Sequence, residues 1–504
     1  MSVVIKESKE RLDVRLLVSG IIIGLTSGLV VVVYRYLLAK IEELIAFIAD
    51  LVHKDLMVLL LYALVLLIVG LILHYFIKKE KLISGSGIPQ VEAEISGLIT
   101  SDHPKVLVYK FLGGILSALA GLSLGREGPS IQIGAMVSGT IGKRFKILDK
   151  DLLLTSGAAS GLAAAFSAPL SAVLFSLEEL HRNFNTKVLI VVMASAVSAD
   201  FIASYIFGMQ ATFDFMISGT IALKYYPYVL ILGVITGLIG VFYNNVTLLT
   251  QRLFLRLPSY LRLGIPLCLA IVLLYGAPML LGGGHHLLAY ITIDSSIWLL
   301  IVLLAMKLIF SFVSFASGAP GGIFFPLLVN GALVGAIFAL VLIELGLIDT
   351  STFYHFVTLA MAAYFTAIVR APITGIILIF EMTGNITNLL PLILCSIIAY
   401  LVADLLRCKP IYESLLERYE IKEGTEAYEV KTITLCVEYG SKAIGKAIKD
   451  IKWPKGAQIV KVERHGKEII ASGDLILASS DMLDINVDIA LEAKIREELD
   501  SILR

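Results

Sequence analysis

The sequence predicts a polytopic α-helical membrane protein with two related halves and broken helices, followed by a small α+β C-terminal domain. Three observations carry that expectation. The 504 residues are 58% hydrophobic and only 16% charged, with mean hydropathy +0.88, whereas soluble domains carry roughly 25% charged residues. Apolar runs near the ~20 residues that cross a bilayer recur through the chain. Two glycine-proline motifs also occur twice, in the same order and at nearly constant spacing.

The apolar runs are Leu16–Tyr36, Met57–Ile77, Val188–Ile206, Tyr228–Tyr243, Leu263–Leu281, Ile297–Phe312 and Leu389–Leu405. Residues 1–15 are highly charged, and the first run has no small-residue cleavage site, so no removable leader is expected. Net charge is +0 and identifies no partner. Its distribution does more: the clusters Lys78-Lys79-Glu80-Lys81 and Lys143-Arg144-Phe145-Lys146 belong on the cytoplasmic side by the positive-inside rule. Cys268, Cys395, Cys408 and Cys436 are scattered without a Cys-x-x-Cys pair. They read as packing residues rather than a disulfide frame or metal site.

The duplication rests on two matches. Ala168-Pro169 recurs as Ala371-Pro372, an offset of 203 positions (169 to 372), and each is followed nine residues later by an acidic residue, Glu178 or Glu381. Upstream, Gly125-x-x-x-Pro129 recurs as Gly322-x-x-x-Pro326, and Gly134-Ala135 as Gly331-Ala332, at an offset of 197 (125 to 322). Ordered matches at near-equal spacing indicate a repeat of about 200 residues. Duplicated halves with Gly/Pro-interrupted helices at matching places point to the substrate site of a secondary transporter.

Glycines stand just before a helix in Gly85-Ser86-Gly87-Ile88-Pro89, Gly125-Arg126-Glu127-Gly128-Pro129 and Gly318-Ala319-Pro320-Gly321-Gly322-Ile323-Phe324-Phe325-Pro326. Proline is favoured in the first helical turn, and glycine lets backbone approach a ligand closely. Each motif reads as a helix N-terminus inside the protein, presenting N–H groups and a partial charge of about +0.5. Converging ends make an anion site without a full positive charge, one weak enough to release its ion. Taken singly, such glycines signify close helix packing; three together, one bearing Glu127, favour the anion site. A carboxylate at membrane depth costs about 3 kcal/mol on insertion scales. Arg126 is expected to hold the local field or pair with a carboxylate, and Lys110 presents the same choice. His285-His286, after Gly282-Gly283-Gly284, reads as a loop turn because no further metal ligands cluster with it.

From about Val14 to Tyr412 these motifs resemble the CLC family of chloride channels and chloride/proton antiporters, with Lys409-Pro410-Ile411-Tyr412 as a further match. The resemblance implies a homodimer with a separate pore in each subunit and an inverted repeat, about 16–210 and 220–412. Carried over, the Ser86 and Tyr412 hydroxyls and the Ile323 and Phe324 amides bind chloride. Glu127 is the external gate, and the amides around Arg126 and Gly128 bind chloride once its carboxylate has moved. Serine at position 86 matches the chloride-preferring version. Antiporters of the family carry a second, inward-facing glutamate, and Glu179 matches it. Exchange of chloride for protons is therefore expected, with a passive chloride channel as the alternative. Chloride enters as substrate, and no cofactor is implied. The implied location is a prokaryotic plasma membrane with both termini cytoplasmic.

After a linker, 413–429, residues 430–504 alternate as a small domain. Val430–Val437, Gln458–Val462, Glu468–Ala471, Leu475–Ala478 and Met482–Val487 read as strands, with a His465-Gly466 turn. Ser441–Asp450 reads as a short helix and Ala490–Leu503 as a charged one. The pattern resembles the TrkA-C type of regulatory domain, which implies a small regulatory ligand, against a domain that only stabilises the dimer. An enzyme is not expected. No Gly-x-Ser-Gly nucleophile site of an intramembrane protease is present, nor a Gly-x-x-x-x-Gly-Lys-Ser/Thr loop for a nucleotide-driven pump.

Overall fold

Residues 14–145, 149–182, 185–209, 213, 215, 217, 219–385, 388–417, 430–464, 466–488 and 491–503 are described in a computed structural model. Nearly all of segment 1–15, most of linker 413–429, Lys146 and His465 lie outside them. Contacts divide the chain into two units, 14–91 with 102–415, and 92–101 with 416–503.

The first half contains α1 (Val14–Val52), α2 (Leu56–Lys79), α3 (Ile88–Ile95), α4 (His103–Leu119), α5 (Glu127–Phe145), α6 (Lys150–Phe166), α7 (Pro169–Phe175) and α8 (Thr186–Phe207). The second contains α9 (Tyr226–Leu255), α10 (Ser259–Gly276), α11 (His285–Leu288), α12 (Ile297–Ala316), α13 (Phe324–Glu344), α14 (Phe353–Val369), α15 (Pro372–Thr383) and α16 (Leu389–Leu405), followed by α17 (Ile411–Leu416). Among the described residues, eight helices are long and apolar enough to cross a membrane. Two run beyond their apolar stretches. α1 continues past Lys40 because Ile45, Ala49 and Val52 keep a buried stripe; α9 continues past Tyr243 because Asn244, Thr247 and Gln251 are buried. α10 stops at Gly276 rather than Leu281, because Pro278 cannot extend it. His285-His286 starts the one-turn helix α11 rather than lying in a loop.

The repeat is visible in the backbone. α6 and α14 end in left-handed residues at equivalent positions, Ser167 (φ 53°) and Arg370 (φ 69°). Each turns the chain into an Ala-Pro helix start, α7 or α15. These two starts are capped crosswise. Glu178 accepts from the Thr374 N–H (3.0 Å) and hydroxyl (2.8 Å), while Glu381 accepts from the Leu170 (2.9 Å) and Ser171 (2.7 Å) N–H groups and from the Ser171 hydroxyl. Each half thus supplies the carboxylate that satisfies orphan donors at the other half's helix start. The geometry gives both glutamates a structural role.

The second unit holds an antiparallel sheet of β1 (Val430–Cys436), β2 (Ala457–Arg464), β3 (Lys467–Ile470) and β4 (Met482–Asp488), in the order β1-β4-β2-β3. Ile433, Leu435, Val462, Leu483, Ile485 and Val487 form its core with Ile495, Leu499 and Leu503 on α18 (Glu492–Leu503). Two expectations fail here. Ser441–Asp450 forms turns and a 3₁₀ turn at Ile448–Asp450, because Gly445 takes φ 77° and the segment bonds sideways, Gly445 N–H to Leu477 O (2.9 Å) and Ile448 N–H to Leu475 O (3.0 Å). Leu475–Ala478 accordingly makes one isolated bridge, Ala447 with Ile476, and no strand.

Replacing Glu381 by Ala leaves the Leu170 and Ser171 amides without acceptors, a loss of about 1–3 kcal/mol. A lower thermal unfolding temperature in detergent is expected, as for Glu178→Ala, with chloride transport retained. An unchanged melting profile in both variants would remove the crossed caps from the stability of the fold.

Candidate functional site

The two halves are tied together at their broken helices. Gly125 and Gly322, equivalent positions of the repeat, exchange both backbone hydrogen bonds (2.7 and 2.8 Å). Beside them, the Gly85 N–H donates to Gly318 O (3.3 Å) and the Gly321 N–H to Gly85 O (3.0 Å). These bonds bring the starts of α3, α5 and α13 to one place. The approach is so close that side chains are excluded. A Cβ on Gly128 would meet Ser86 O at 2.7 Å, and one on Gly87, at φ 100°, would meet Gln132 Oε1 at 2.7 Å and Gly128 O at 3.1 Å.

Carbonyls of the first loop are taken up by buried side chains. Gln132 donates to Leu82 O (2.9 Å), Gln90 to Ser84 O (2.6 Å), and Lys110 to Ile83 O (2.9 Å) and Gly85 O (2.7 Å). Lys110 is fully buried, so its charge is spent on backbone acceptors. The second half repeats the device: fully buried Lys307 donates to Leu280 O (2.9 Å) and Gly282 O (2.8 Å). With those carbonyls bonded to side chains, the first-turn N–H groups of α3, α5 and α13, which lack intrahelical acceptors, are left for whatever occupies the gap.

Glu127 stands at that gap with no exposure to solvent. Its carboxylate lies in the field of its own amide and that of Phe325, yet neither oxygen has a hydrogen-bond partner among the described residues. Arg126 Nε is 3.8 Å from Glu127 Oε1, so the pairing expected of Arg126 is with its own neighbour in sequence. A buried acceptor without a donor is costly. Ser86 (2% exposed) and Tyr412 (0%) are also buried; their hydroxyls lie near each other, and neither makes a well-formed hydrogen bond among the described residues. Gly322, by its absent Cβ, lies close to Gly128 N and Ser86 Oγ, which places the Ile323-Phe324 start of α13 against Ser86. Phe324 is locked by Phe166 (centroids 5.3 Å), Phe175 (5.7 Å) and Phe365 (4.7 Å), and Phe175 packs edge-on to Tyr412 (6.4 Å). Tyr412 is within electrostatic reach of both Glu127 and Glu179. Glu179, 6% exposed, sits on a π-helical turn, Ser176–His181, after α7.

Ser86, Glu127, Gly128, Ile323, Phe324 and Tyr412 are thus gathered around one gap, with Arg126 on one flank and Glu179 in a separate element. Sequence reading missed Lys307, although Lys110 and Lys307 stand at the same 197-position offset as Gly125 and Gly322. It also missed Glu42, which lies 3.5 Å from His285, a pairing across distant elements that no local pattern announces.

A family model described as "Voltage gated chloride channel" matches residues 65–404, and one described as "TrkA-C domain" matches 435–487. The H(+)/Cl(-) exchange transporter ClcA of Vibrio cholerae serotype O1 is 34% identical over 437 residues, spanning 82% of this chain and 91% of that protein. The protein of that name from Vibrio campbellii is 38% identical over 351 residues, 66% of this chain and 74% of its own length. Among solved structures, a slow cyanobacterial Cl-/H+ antiporter superposes with a TM-score of 0.76 at 30% identity, covering 80% of this chain and 97% of its own. A eukaryotic CLC transporter shares the fold, with a TM-score of 0.66 at 22% identity, covering 80% of this chain and 74% of its own. With the first of those models covering more than half of its residues, the chain belongs to the CLC family of voltage-gated chloride channels and chloride/proton exchangers, and it carries a TrkA-C domain after its membrane part.

Proposed function

We propose that this protein exchanges chloride for protons across a membrane, with one gap serving both ions. The observation that carries this is Glu127: a wholly buried carboxylate, without a hydrogen-bond partner among the described residues, placed where the α5 and α13 N-termini meet. Ionised, it fills an anion position at the helix ends. Protonated, it loses the attraction of those ends and leaves, and chloride takes the vacated place at the amides around Arg126 and Gly128. The central chloride is held by the Ser86 and Tyr412 hydroxyls with the Ile323 and Phe324 amides. No full positive charge holds it, since Lys110 and Lys307 are committed to carbonyls, and release stays fast.

Glu179 supplies the inward-side proton acceptor. Two observations support that role: its burial at 6% exposure, and the position of Tyr412 within electrostatic reach of both glutamates. A proton reaching Glu179 can pass to Glu127 on a path that chloride does not use. The relatives named as exchange transporters favour coupled exchange over a passive channel. The protein works as a homodimer in a prokaryotic plasma membrane with both termini cytoplasmic, each copy with its own path. The domain at 430–504, joined through linker 413–429, binds a small regulatory ligand.

Glu127→Gln is expected to carry chloride without moving protons, because an amide mimics the protonated carboxyl and cannot shuttle. Glu179→Gln should do the same for a different reason, since only the proton needs an ionisable stop there. In proteoliposomes loaded with chloride, so that its gradient is directed outward, proton uptake against its own gradient by either variant would sink the corresponding assignment.

Ser86→Ala and Tyr412→Phe each delete one hydroxyl donor to a desolvated anion, worth about 1.5–3 kcal/mol, roughly a ten- to hundredfold loss in chloride affinity. Calorimetric titration with chloride checks this. Native affinity in both variants would leave the backbone amides as the whole site.

A further inference from the structure

A titratable pair stands beside the site and takes no part in the reading above. His285 lies flat on Phe325, with ring centroids 3.8 Å apart and planes at 17°, and Phe325 is the residue whose amide faces the Glu127 carboxylate. The Nδ1 of His285 is 3.5 Å from Glu42 Oε1 on α1. Both residues line a cleft of about 330 Å³ together with Asp50, His286 and Tyr290. A smaller cleft shares Glu42 and His285 with the first and reaches Gly125 and Arg126; Arg126 is in turn 3.8 Å from Glu127. Glu42 and His285 thus line both clefts, and the smaller cleft also touches Arg126 beside the gate.

The ring is held, not merely present. Buried Lys307 pins Leu280 O and Gly282 O, and Gly284, at φ 108°, turns the chain straight into α11, which His285 begins. The charged or titratable groups that face it are Glu42 and, farther along, Asp50 from α1, Arg126 ahead of α5, Lys307 from α12 and its own neighbour His286. Phe325 from α13 stacks on the ring, and Tyr354 from α14 lines a cleft with it.

We propose that His285, paired with Glu42, is a positioning residue for ion exchange: its ring fixes Phe325 at the start of α13, and its charge sets how readily anions enter on the Arg126 side. A protonated His285 neutralises Glu42 and adds positive charge over the α13 amides. A neutral His285 leaves the Glu42 carboxylate to repel an approaching chloride. Imidazole changes charge near neutral pH, and burial lowers the His285 pKa by more than the Glu42 pair raises it, so chloride entry should rise on acidification below the ordinary imidazole range, independently of the gate.

The proposal rests on the gate reading of Glu127, and the test separates the two. Chloride flux is measured in proteoliposomes from about pH 4 to 8 in Glu127→Gln, where the gate no longer titrates, the range being set low because burial lowers the His285 pKa. The expected result is flux that rises roughly three- to tenfold toward acid, the scale of one nearby charge in a partly screened medium. Adding His285→Phe, which keeps the stack and removes the charge change, should flatten the profile. Adding Glu42→Gln, which leaves the ring in place, should move the midpoint to lower pH. A flat profile in Glu127→Gln, or a slope that survives His285→Phe, overturns the proposal. If His285→Phe does not fold, an unmoved midpoint in the Glu42→Gln variant overturns it instead. Continued proton pumping by Glu127→Gln would fail the gate reading alone. The His285→Phe profile is then compared with the native one, and identity of the two again overturns the proposal.

Discussion

Two backbone hydrogen bonds between Gly125 and Gly322 are the constraint on which the rest of this structure depends. They join the two halves at the point where each breaks a helix, and so aim α5 and α13 at a common gap. That small bridge leaves little room: a Cβ on Gly125 would run into the Glu127 carboxylate and lie 3.2 Å from the Phe325 N, and one on Gly322 would lie 3.2 Å from the Gly128 N. Backbone that lacks regular partners is permitted at membrane depth only where protein or a cavity satisfies it. Here the halves satisfy each other, and the N–H groups left over face the gap.

Charge is distributed to the same end. Three cations are committed to backbone: Lys110 and Lys307 each hold two carbonyls 25 and 27 residues upstream, and Arg370 holds Tyr400 O (2.7 Å) and Cys408 O (3.0 Å). The carboxylates Glu178 and Glu381 cap helix starts in the opposite half. What remains at the gap is helix dipoles, hydroxyls and the Glu127 carboxylate, which has no hydrogen-bond partner among the described residues and has Arg126 on its flank at 3.8 Å. Such a site attracts an anion through partial charges and offers a built-in competitor for it. On the proposed reading, competition between Glu127 and chloride for one position would link proton binding to anion movement without any large rearrangement.

Much of this was legible in the sequence, because repeats and helix starts are local patterns. The 197- and 203-position offsets marked the duplication, and each Gly-Pro motif became a helix start within a residue or two. What stayed hidden was pairing across the fold. Nothing local told that Glu178 would cap Thr374 rather than its own helix, or that Glu42 would meet His285, since each pairing joins segments 195 or more positions apart. The tail shows the complementary failure. Ser441–Asp450 has helical composition, but Gly445 and the sideways bonds to Leu475 and Leu477 override it, an instance of tertiary context defeating propensity.

The most direct test of shared occupancy uses the native protein. In proteoliposomes with a chloride gradient and no initial proton gradient, clamping the voltage and following internal pH reports whether the two ions move together. Coupled exchange predicts protons driven uphill in a fixed ratio to chloride, with the direction reversing when the chloride gradient is reversed. Collapse of the chloride gradient with no proton movement would contradict it and leave a passive chloride path.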